Sequence, residues 1–471
     1  MTFNSLTYVL FLPAVLALYW RTGQRPRQWV LLVASYVFYG AWDRRFLGLI
    51  WLSTAVDYAV GRWLAVEDRA EVRRRLLLVS IGVNLGILGF FKYAGFFVES
   101  AGALLERVGL APNPPLLEIL LPVGISFYTF QTLSYTVDVY RRKVEAERDP
   151  LTFAVFVAYF PQLVAGPIER AGHLLPQLRT PRRAPGPEEV TSAVALILLG
   201  LTKKVVVADT MAPIVQRSFA DPDALGTVSV ALAATAFALQ VYGDFSGYTD
   251  IARGTSRLLG IELVPNFRQP LLSRSITELW RTWHMSLYGW LREYVYIPLG
   301  GNRGGPLATH RNLLITMTLG GLWHGAAWTF VLWGFLHGVL LVAERLRGVV
   351  ADDEAGLPRG REWLAVVRTF SVFALSLLIF RSDSLAGAGT MFRNLVLGGL
   401  AVDGDVVSDL AVVALGALVI LAVDVIQRRR SRGATAPLRV PTATGALAAV
   451  AVAGIVAMSG SETVPFIYFQ F

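Results

Sequence analysis

The stretch Leu319-Gly320-Gly321-Leu322-Trp323-His324-Gly325-Ala326-Ala327-Trp328 lies inside an apolar block, Leu313 to Leu341, that holds no Asp, Glu, Lys or Arg. About 20 apolar residues in a helix cross a bilayer core, so the block is either one span with a bend or two short helices. His324 is an ionisable side chain in the middle of it, and at membrane depth such a residue is costly and marks function by default. If the helix runs through, Gly320 and Gly321 lie one turn before His324, and Ala327 and Trp328 one turn after. The glycines then clear space beside the imidazole for a substrate. The structural alternative is a histidine that only bonds a neighbouring helix.

The rest of the chain fits a bilayer. Of 471 residues 54% are hydrophobic and 16% charged, against about 25% charged in soluble domains. Mean hydropathy is +0.51. Apolar helices are expected at roughly 5–20, 29–42, 46–64, 76–97, 117–140, 192–216, 228–249, 364–382, 408–427 and 441–459. Leu6 to Trp20 has no basic region before it and no small-residue cleavage site after it, so it reads as a first span and not as a signal peptide. Segment 151–166 has basic stretches on both sides and is broken by Pro161, Gly166 and Pro167, which reads as a re-entrant element. Such backbone is tolerated where it is buried in protein or lines a wet cavity. The Pro-rich loop 173–190 is a linker, and no internal repeat is visible. The expected fold is all-α: one polytopic transmembrane domain over 1–471, with about ten to twelve spans plus re-entrant helices, and no separate soluble domain.

Charge orients the spans. The net charge is +9, and Arg21–Arg27, Arg69–Arg75, Arg141–Lys143 and Arg428–Arg432 all fall on one side if the N-terminus is outside. By the Lys/Arg bias that side is the cytoplasm. No nucleic-acid-binding motif accompanies the excess, so no nucleic-acid partner is expected. The chain has no cysteine, which excludes disulfides, thiolate metal sites and cysteine nucleophiles.

Four other histidines complete the inventory. His173 and His310 fall in basic polar loops and read as solvated; His337, in Trp333-Gly334-Phe335-Leu336-His337-Gly338, reads as a packed helix residue bonded across helices. His284 ends Ser275-Ile276-Thr277-Glu278-Leu279-Trp280-Arg281-Thr282-Trp283-His284. Ser275 and Glu278 have capping-box spacing, so a helix is expected there with Trp280, His284, Leu287 and Leu291 on one face and Glu278 paired to Arg281. Neither His284 nor His324 has a carboxylate at ligand spacing, and no metal is expected. Arg274, Arg281, Arg292, Arg303 and Arg311 read either as positive-inside bias or as capture of a phosphorylated donor. Gly300-Gly301-Asn302-Arg303-Gly304-Gly305 matches no phosphate-loop pattern and reads first as a turn.

Together these segments resemble the membrane-bound O-acyltransferase (MBOAT) superfamily, in the branch that O-acetylates alginate and peptidoglycan. The resemblance is carried by Leu121–Tyr135, Tyr159–Ile168, Asp244-Phe245-Ser246-Gly247-Tyr248, Trp280–His284, Tyr294–Arg303 and Gly321–Ala326, in that order. It implies helices ringed around a central tunnel in a bacterial inner membrane. It implies His324 as the essential histidine and His284 as the second; the residues expected to bind substrate are Arg281, Trp323, Arg303, Gln131 and Asp244. The donor it implies is acetyl-CoA or another acyl-CoA, used as substrate with no bound cofactor. The acceptor is a hydroxyl of an exported polysaccharide or cell-wall polymer, reached with an extracytoplasmic, SGNH-like acyltransferase partner among membrane lipids. The aromatic tail Val464–Phe471 is either an interfacial anchor or a relay in which Tyr468 takes the acyl group. A transporter is the rival class, and Asp57, Lys92 and Lys203–Lys204 are the charges it would use.

The orientation is open to direct measurement in a cysteine-free chain. Single cysteines near Asn4 and Glu462 are expected to react with an impermeant thiol reagent in intact cells, and cysteines near Arg73 and Arg430 are not; the reverse pattern overturns the orientation.

Overall fold

Helix starts follow local caps. Ser5 Oγ accepts from Tyr8 N to open α1 (Leu6–Arg21), and Asp149 Oδ2 accepts from Thr152 N to open α7 (Pro150–Ala158), whose first residue is proline. Each cap satisfies an amide that the first turn leaves without a partner. The computed structural model describes residues 1–110, 119–164, 166–352, 356–430 and 466. No strand occurs among them, so the chain is all-α. Among the described residues, six helical stretches are long and apolar enough to cross a membrane: Ala70–Arg107, Pro187–Ala220, Thr227–Leu258, Trp328–Leu346, Glu362–Arg381 and Gly404–Arg429. The expected span at 441–459 lies outside the described residues.

The chain divides into two compact units, Met1–Val190 with Thr255–Val264, and Thr191–Gly254 with Pro265–Phe471. The first holds α1, α2 (Gln24–Gly40), α3 (Leu47–Leu64), α4 (Ala70–Leu88), α5 (Ala94–Arg107), α6 (Ile125–Tyr140), α7, α8 (Phe160–Leu163) and α9 (Ala171–Arg179). Helices α3 and α4 pack on α6, which is buried over nearly its whole length. The expected start near 117 moves to Ile125 because Gly124 takes a left-handed φ of 75°, and a Cβ there would lie 2.6 Å from Leu163 O. The segment read as re-entrant is α7 and α8, both buried, interrupted at Tyr159. Ser35 Oγ accepts from Phe160 N at 3.0 Å, which satisfies the amide freed by the interruption. Asp57, wholly buried on α3, accepts from Ser80 Oγ at 2.5 Å, Asn84 Nδ2 at 2.8 Å and Thr136 Oγ1 at 3.2 Å.

The second unit opens at Thr191, within α10 (Pro187–Leu201), which runs through a widened π turn, Thr202–Ala208, into α11 (Asp209–Ala220). Then follow α12 (Thr227–Leu258), which belongs to this unit as far as Gly254, α13 (Ile276–Thr282), α14 (Met285–Leu291), α15 (Gly305–His324), α16 (Trp328–Leu346), α17 (Glu362–Arg381), α18 (Leu385–Leu397) and α19 (Gly404–Arg430). Backbones touch where α12 crosses α10: a Cβ on Gly247 would lie 2.7 Å from Gly200 O, and one on Gly243 2.8 Å from Lys203 O. Small residues of this kind let helices associate closely in lipid. The π turn carries Lys203 and Lys204 inward, where Lys203 Nζ meets Asp250 at 2.8 Å and Lys204 Nζ bridges Asp209 at 2.7 Å and Asp244 at 3.0 Å. The block 313–341 resolves into two helices, α15 and α16, joined through Gly325–Ala327.

His173 is part of α9 and not of a loop. Its Nδ1 lies 2.7 Å from Oε2 of the fully buried Glu169, whose Oε1 accepts from Val264 N at 2.7 Å. That hydrogen bond raises the imidazole pKa above its ordinary value, against an opposing effect of burial. A raised folded-state pKa gives a contribution that is complete below the ordinary histidine value of about 6.5 and fades as pH rises through the folded value. The apparent Tm of the wild type in detergent is therefore expected to exceed that of His173→Gln most at acidic pH, with the gap closing at alkaline pH. A pH-independent gap would contradict the ion pair.

Candidate functional site

Helix α13 is fixed at its start by carboxylates. Ser275 Oγ accepts from Glu278 N at 3.0 Å, as the capping spacing predicts. Glu344 of α16 takes Ile276 N at 2.9 Å, Thr277 N at 2.8 Å and Thr277 Oγ1 at 2.7 Å. A carboxylate at a helix N-terminus meets the positive end of the helix dipole. Glu278 does not pair with Arg281: it accepts from Arg274 N at 2.7 Å and pairs with Arg428 of α19 at 3.0 Å.

The helix expected to run through His284 stops before it. His284 stands between α13 and α14 with φ 44° and ψ 51°, a left-handed conformation that costs a residue with a Cβ about 1–2 kcal/mol. The preceding loop pulls the chain apart there. Arg268 N bonds Thr282 O at 2.9 Å, Met285 N bonds Asn266 O at 2.9 Å, and Asn266 Oδ1 takes Ser286 N at 3.2 Å and Ser286 Oγ at 2.9 Å. Strain held in place by surrounding bonds is a mark of functional positions.

His324 is the last residue of α15, so Ala327 and Trp328 are not one turn above it. The glycines also serve differently from the sequence reading. A Cβ on Gly321 would run into Phe330 O and lie 2.9 Å from Gly334 Cα, and one on Gly320 would meet Leu291 Cδ1 at 3.0 Å. They admit neighbouring helices and not a substrate. A Cβ on Gly325 would collide with the Phe330 ring.

These two helix ends bring the two histidines together. Their ring centroids are 6.4 Å apart, with the Trp323 ring 5.0 Å from His324 and 5.6 Å from His284. Trp333 stands perpendicular to His324 at 5.5 Å, Phe380 packs on it at 5.3 Å, and Phe245 packs edge-on to His284 at 4.6 Å. His284 is 1% and His324 5% exposed. The pair therefore sits in an aromatic cage with almost no contact with solvent.

A cavity of about 360 Å³ in the second unit reaches His284. Trp280, Leu287, Leu291 and Met317 give it apolar walls, while Arg281, Arg292 and Arg345 supply positive charge. Among the described residues no Asp or Glu lines it. An elongated ligand with an apolar or neutral head and an anionic end fits this polarity, because guanidinium matches phosphate geometry. Among the described residues no group of three or more His, Asp or Glu has metal-holding geometry.

The other site residues expected from sequence are dispersed. Asp244 precedes Phe245 on α12 and is paired with Lys204 at 3.0 Å. Arg303 lies in the exposed turn between α14 and α15, next to Asn302, which does line the cavity. Gln131 belongs to the first unit, where it and Gln162 exchange amide hydrogen bonds at 2.7 and 3.1 Å. Tyr468 lies outside the described residues, but Phe466 of the same tail is described. Phe466 is fully buried, with its ring 4.2 Å from Tyr248 and 6.1 Å from Phe245.

One cavity residue escaped the sequence reading. Arg345 lines the cavity, and its only signal is the i, i+4, i+8 spacing from His337 through Leu341. His337, expected to bond across helices, does so as a hub between three of them. Trp280 Nε1 donates to its Nδ1 at 3.2 Å, and its Nε2 meets Ser376 Oγ at 3.0 Å. Ser376 Oγ donates to Phe373 O at 2.6 Å and accepts from Trp333 Nε1 at 3.2 Å. The network assigns the proton of a neutral imidazole to Nε2. His337 thus orients Trp280, a cavity wall, and shares Ser376 with Trp333, which packs on His324.

The family model of membrane-bound O-acyltransferases (MBOAT) matches residues 125–350. The chain is 43% identical over 394 residues to the "Probable alginate O-acetylase AlgI" of Pseudomonas putida, covering 83% of this chain and 79% of the relative. It is 31% identical to the "Peptidoglycan O-acetyltransferase" of Helicobacter pylori over 84% of this chain and 79% of the relative. It is 30% identical to the "Teichoic acid D-alanyltransferase" of Streptococcus thermophilus over 55% and 68% respectively.

Removing the hub leaves a buried indole N–H without its acceptor, at about 1–3 kcal/mol. His337→Leu is expected to lower unfolding stability in detergent by that amount, and His337→Gln, which keeps an acceptor and a donor, by less. Equal losses would mean that the ring's shape matters and its hydrogen bonds do not.

Proposed function

Since the chain belongs to the membrane-bound O-acyltransferase family and is a multi-pass membrane O-acyltransferase, we propose that it transfers an acetyl group from cytosolic acetyl-CoA, across a bacterial inner membrane, for O-acylation of an exported polysaccharide or cell-wall polymer. The relatives' names, alginate O-acetylase and peptidoglycan O-acetyltransferase, support acetyl and such an acceptor. The observation that carries the reading is the arginine-lined cavity that reaches His284, whose ring centroid lies 6.4 Å from that of His324.

In this mechanism Arg281, Arg292 and Arg345 hold the donor's phosphates, and Trp280 flanks the pantetheine arm. His284 borders the thioester. His324 takes the proton of the acceptor hydroxyl as general base. The oxygen attacks the thioester carbonyl, the C–S bond breaks, and the thiolate leaves as coenzyme A after gaining a proton. The aromatic cage excludes water, which would otherwise hydrolyse the thioester.

The first acceptor in this proposal is Tyr468. Its phenol oxygen takes the acetyl group and passes it to an extracytoplasmic, SGNH-like acyltransferase, which acylates the polymer. The burial of Phe466 against Tyr248 and Phe245, the latter packed on His284, supports a tail folded towards the site.

One assay tests both steps: transfer from labelled acetyl-CoA by purified protein in vesicles, with and without the extracytoplasmic partner. His324→Ala is expected to lower transfer by about 10²–10⁴-fold, the usual worth of a general base, with expression and folding intact. Normal transfer by that variant ends the catalytic reading. Tyr468→Phe is expected to abolish label on the polymer; full activity in it reduces the tail to an anchor and leaves the role of His324 standing.

A further inference from the structure

A second cleft, of about 470 Å³, opens in the first unit at the ends of α3 and α6. Five basic side chains line it, Arg62, Arg73, Arg142, Lys143 and Arg148, against two acidic ones, Asp68 and Glu145. It has no part in the chemistry described above.

Two helix C-termini point at this cleft, and their negative dipole ends would repel an anion. Arg73 cancels them. Its guanidinium, 6% exposed, donates to the carbonyls of Leu64, Glu67, Val139 and Tyr140. With those carbonyls neutralised, the remaining cations set the field of the opening.

Arg142 is placed there against backbone preference. Helix α6 ends with Lys143 N bonding Asp138 O at 2.9 Å and Arg142 N bonding Val139 O at 3.0 Å, the pairing of a Schellman cap. The left-handed position of that cap usually holds glycine, yet here it is Arg142 with φ 58°. A strained position filled by a charged residue lining a cleft is unusual for a mere surface charge. Its pairing with Asp68 at 2.7 Å joins two exposed side chains, so it is weak and readily exchanged. Arg148 is held in place by its own carbonyl, which accepts from Tyr58 Oη at 2.6 Å.

Beside the cations the surface turns apolar. Trp63, next in the chain to Arg62, is 59% exposed, and Val66, two residues before Asp68, is 75% exposed. Tryptophan in that setting marks headgroup depth, and the same end of the helices is the side that the Lys/Arg bias assigns to the cytoplasm, where anionic lipids give the membrane its negative surface.

We propose that this cleft is a binding site for the phosphate headgroup of an anionic phospholipid, held by Arg62, Arg142 and Arg148, with its acyl chains along the exposed face near Trp63. The proposal stands independently of the acyl-transfer reading. It is tested with the purified full-length chain by native mass spectrometry of retained lipid and by the shift in apparent Tm on adding lipid. The probes are phosphatidylglycerol, phosphatidylcholine and inorganic phosphate. Wild type is expected to retain phosphatidylglycerol over phosphatidylcholine and to be stabilised by it. Arg62→Gln, Arg142→Gly and Arg148→Gln are each expected to lower retention about fivefold, the worth of one charge near a membrane surface. Arg142→Gly also relieves the left-handed backbone, so its lipid-free Tm should equal or exceed that of wild type, which separates lost binding from lost folding. Equal retention of the two lipids, undiminished retention in the variants, or stabilisation by inorganic phosphate matching that by phosphatidylglycerol would each overturn the proposal.

Discussion

No side chain separates α15 from α16 where Gly321 meets Gly334. A Cβ on either would lie 2.9 Å from the other's Cα, and lipid offers no hydrophobic drive for helices to associate, so packing at this distance is what holds them. The site depends on that contact. Helix α16 carries His337, which bonds Trp280, and Glu344, which caps the start of α13. Helix α13 is therefore hung from α16 at two points, one at each end of its own short length. His284 follows the end of α13 and His324 is the end of α15, so the glycine contact sets where one histidine stands relative to the other.

The buried charges show how a chain in lipid accommodates polar groups. Lys203 and Lys204 face carboxylates on α11 and α12, and Asp57 is surrounded by hydroxyl and amide donors. Asp424, fully buried on α19, accepts from Tyr242 Oη at 2.9 Å. Removing one partner of a buried pair costs about 3–5 kcal/mol, so these groups tie helices together. That is a different use from the one a transporter would make of them. Lys204 in particular links α11 to α12 one residue before Phe245, which packs on His284.

The two histidines are not equivalent in their surroundings. The cavity reaches His284, while His324 is enclosed by Trp323, Trp333, Phe380 and His284. The proposed mechanism uses this difference, with the residue on the cavity beside the donor and the one ringed by aromatics taking the proton. Aromatic rings suit such an enclosure, because they fill space, exclude water and present edges and faces of opposite polarity.

Sequence alone determined the class. Apolar blocks of membrane-spanning length, the scarcity of charge and the isolation of His324 are local properties of the chain, set by the cost of polar groups in lipid. The helical stretches at 192–216, 228–249 and 364–382 were legible for the same reason, and so was the cap at Ser275. What the tertiary structure decided were the partners. The 3.6-residue period says which residues share a face, but not which segment will face them. Hence Glu278 was given to Arg281 and belongs with Arg428, and the break at His284, made by Asn266 and Arg268 from a separate loop, left no mark in its own helix pattern. The glycines before His324 were legible as unusual, but only the approach of α16 to Gly321 and of Leu291 of α14 to Gly320 shows that they make room for helices. Arg345 and His337 gain their roles from residues far away in the chain, such as Trp280 and Ser376 at separations of 57 and 39 from His337, because side-chain hydrogen bonds and cavities are formed across space, where sequence order carries no distance.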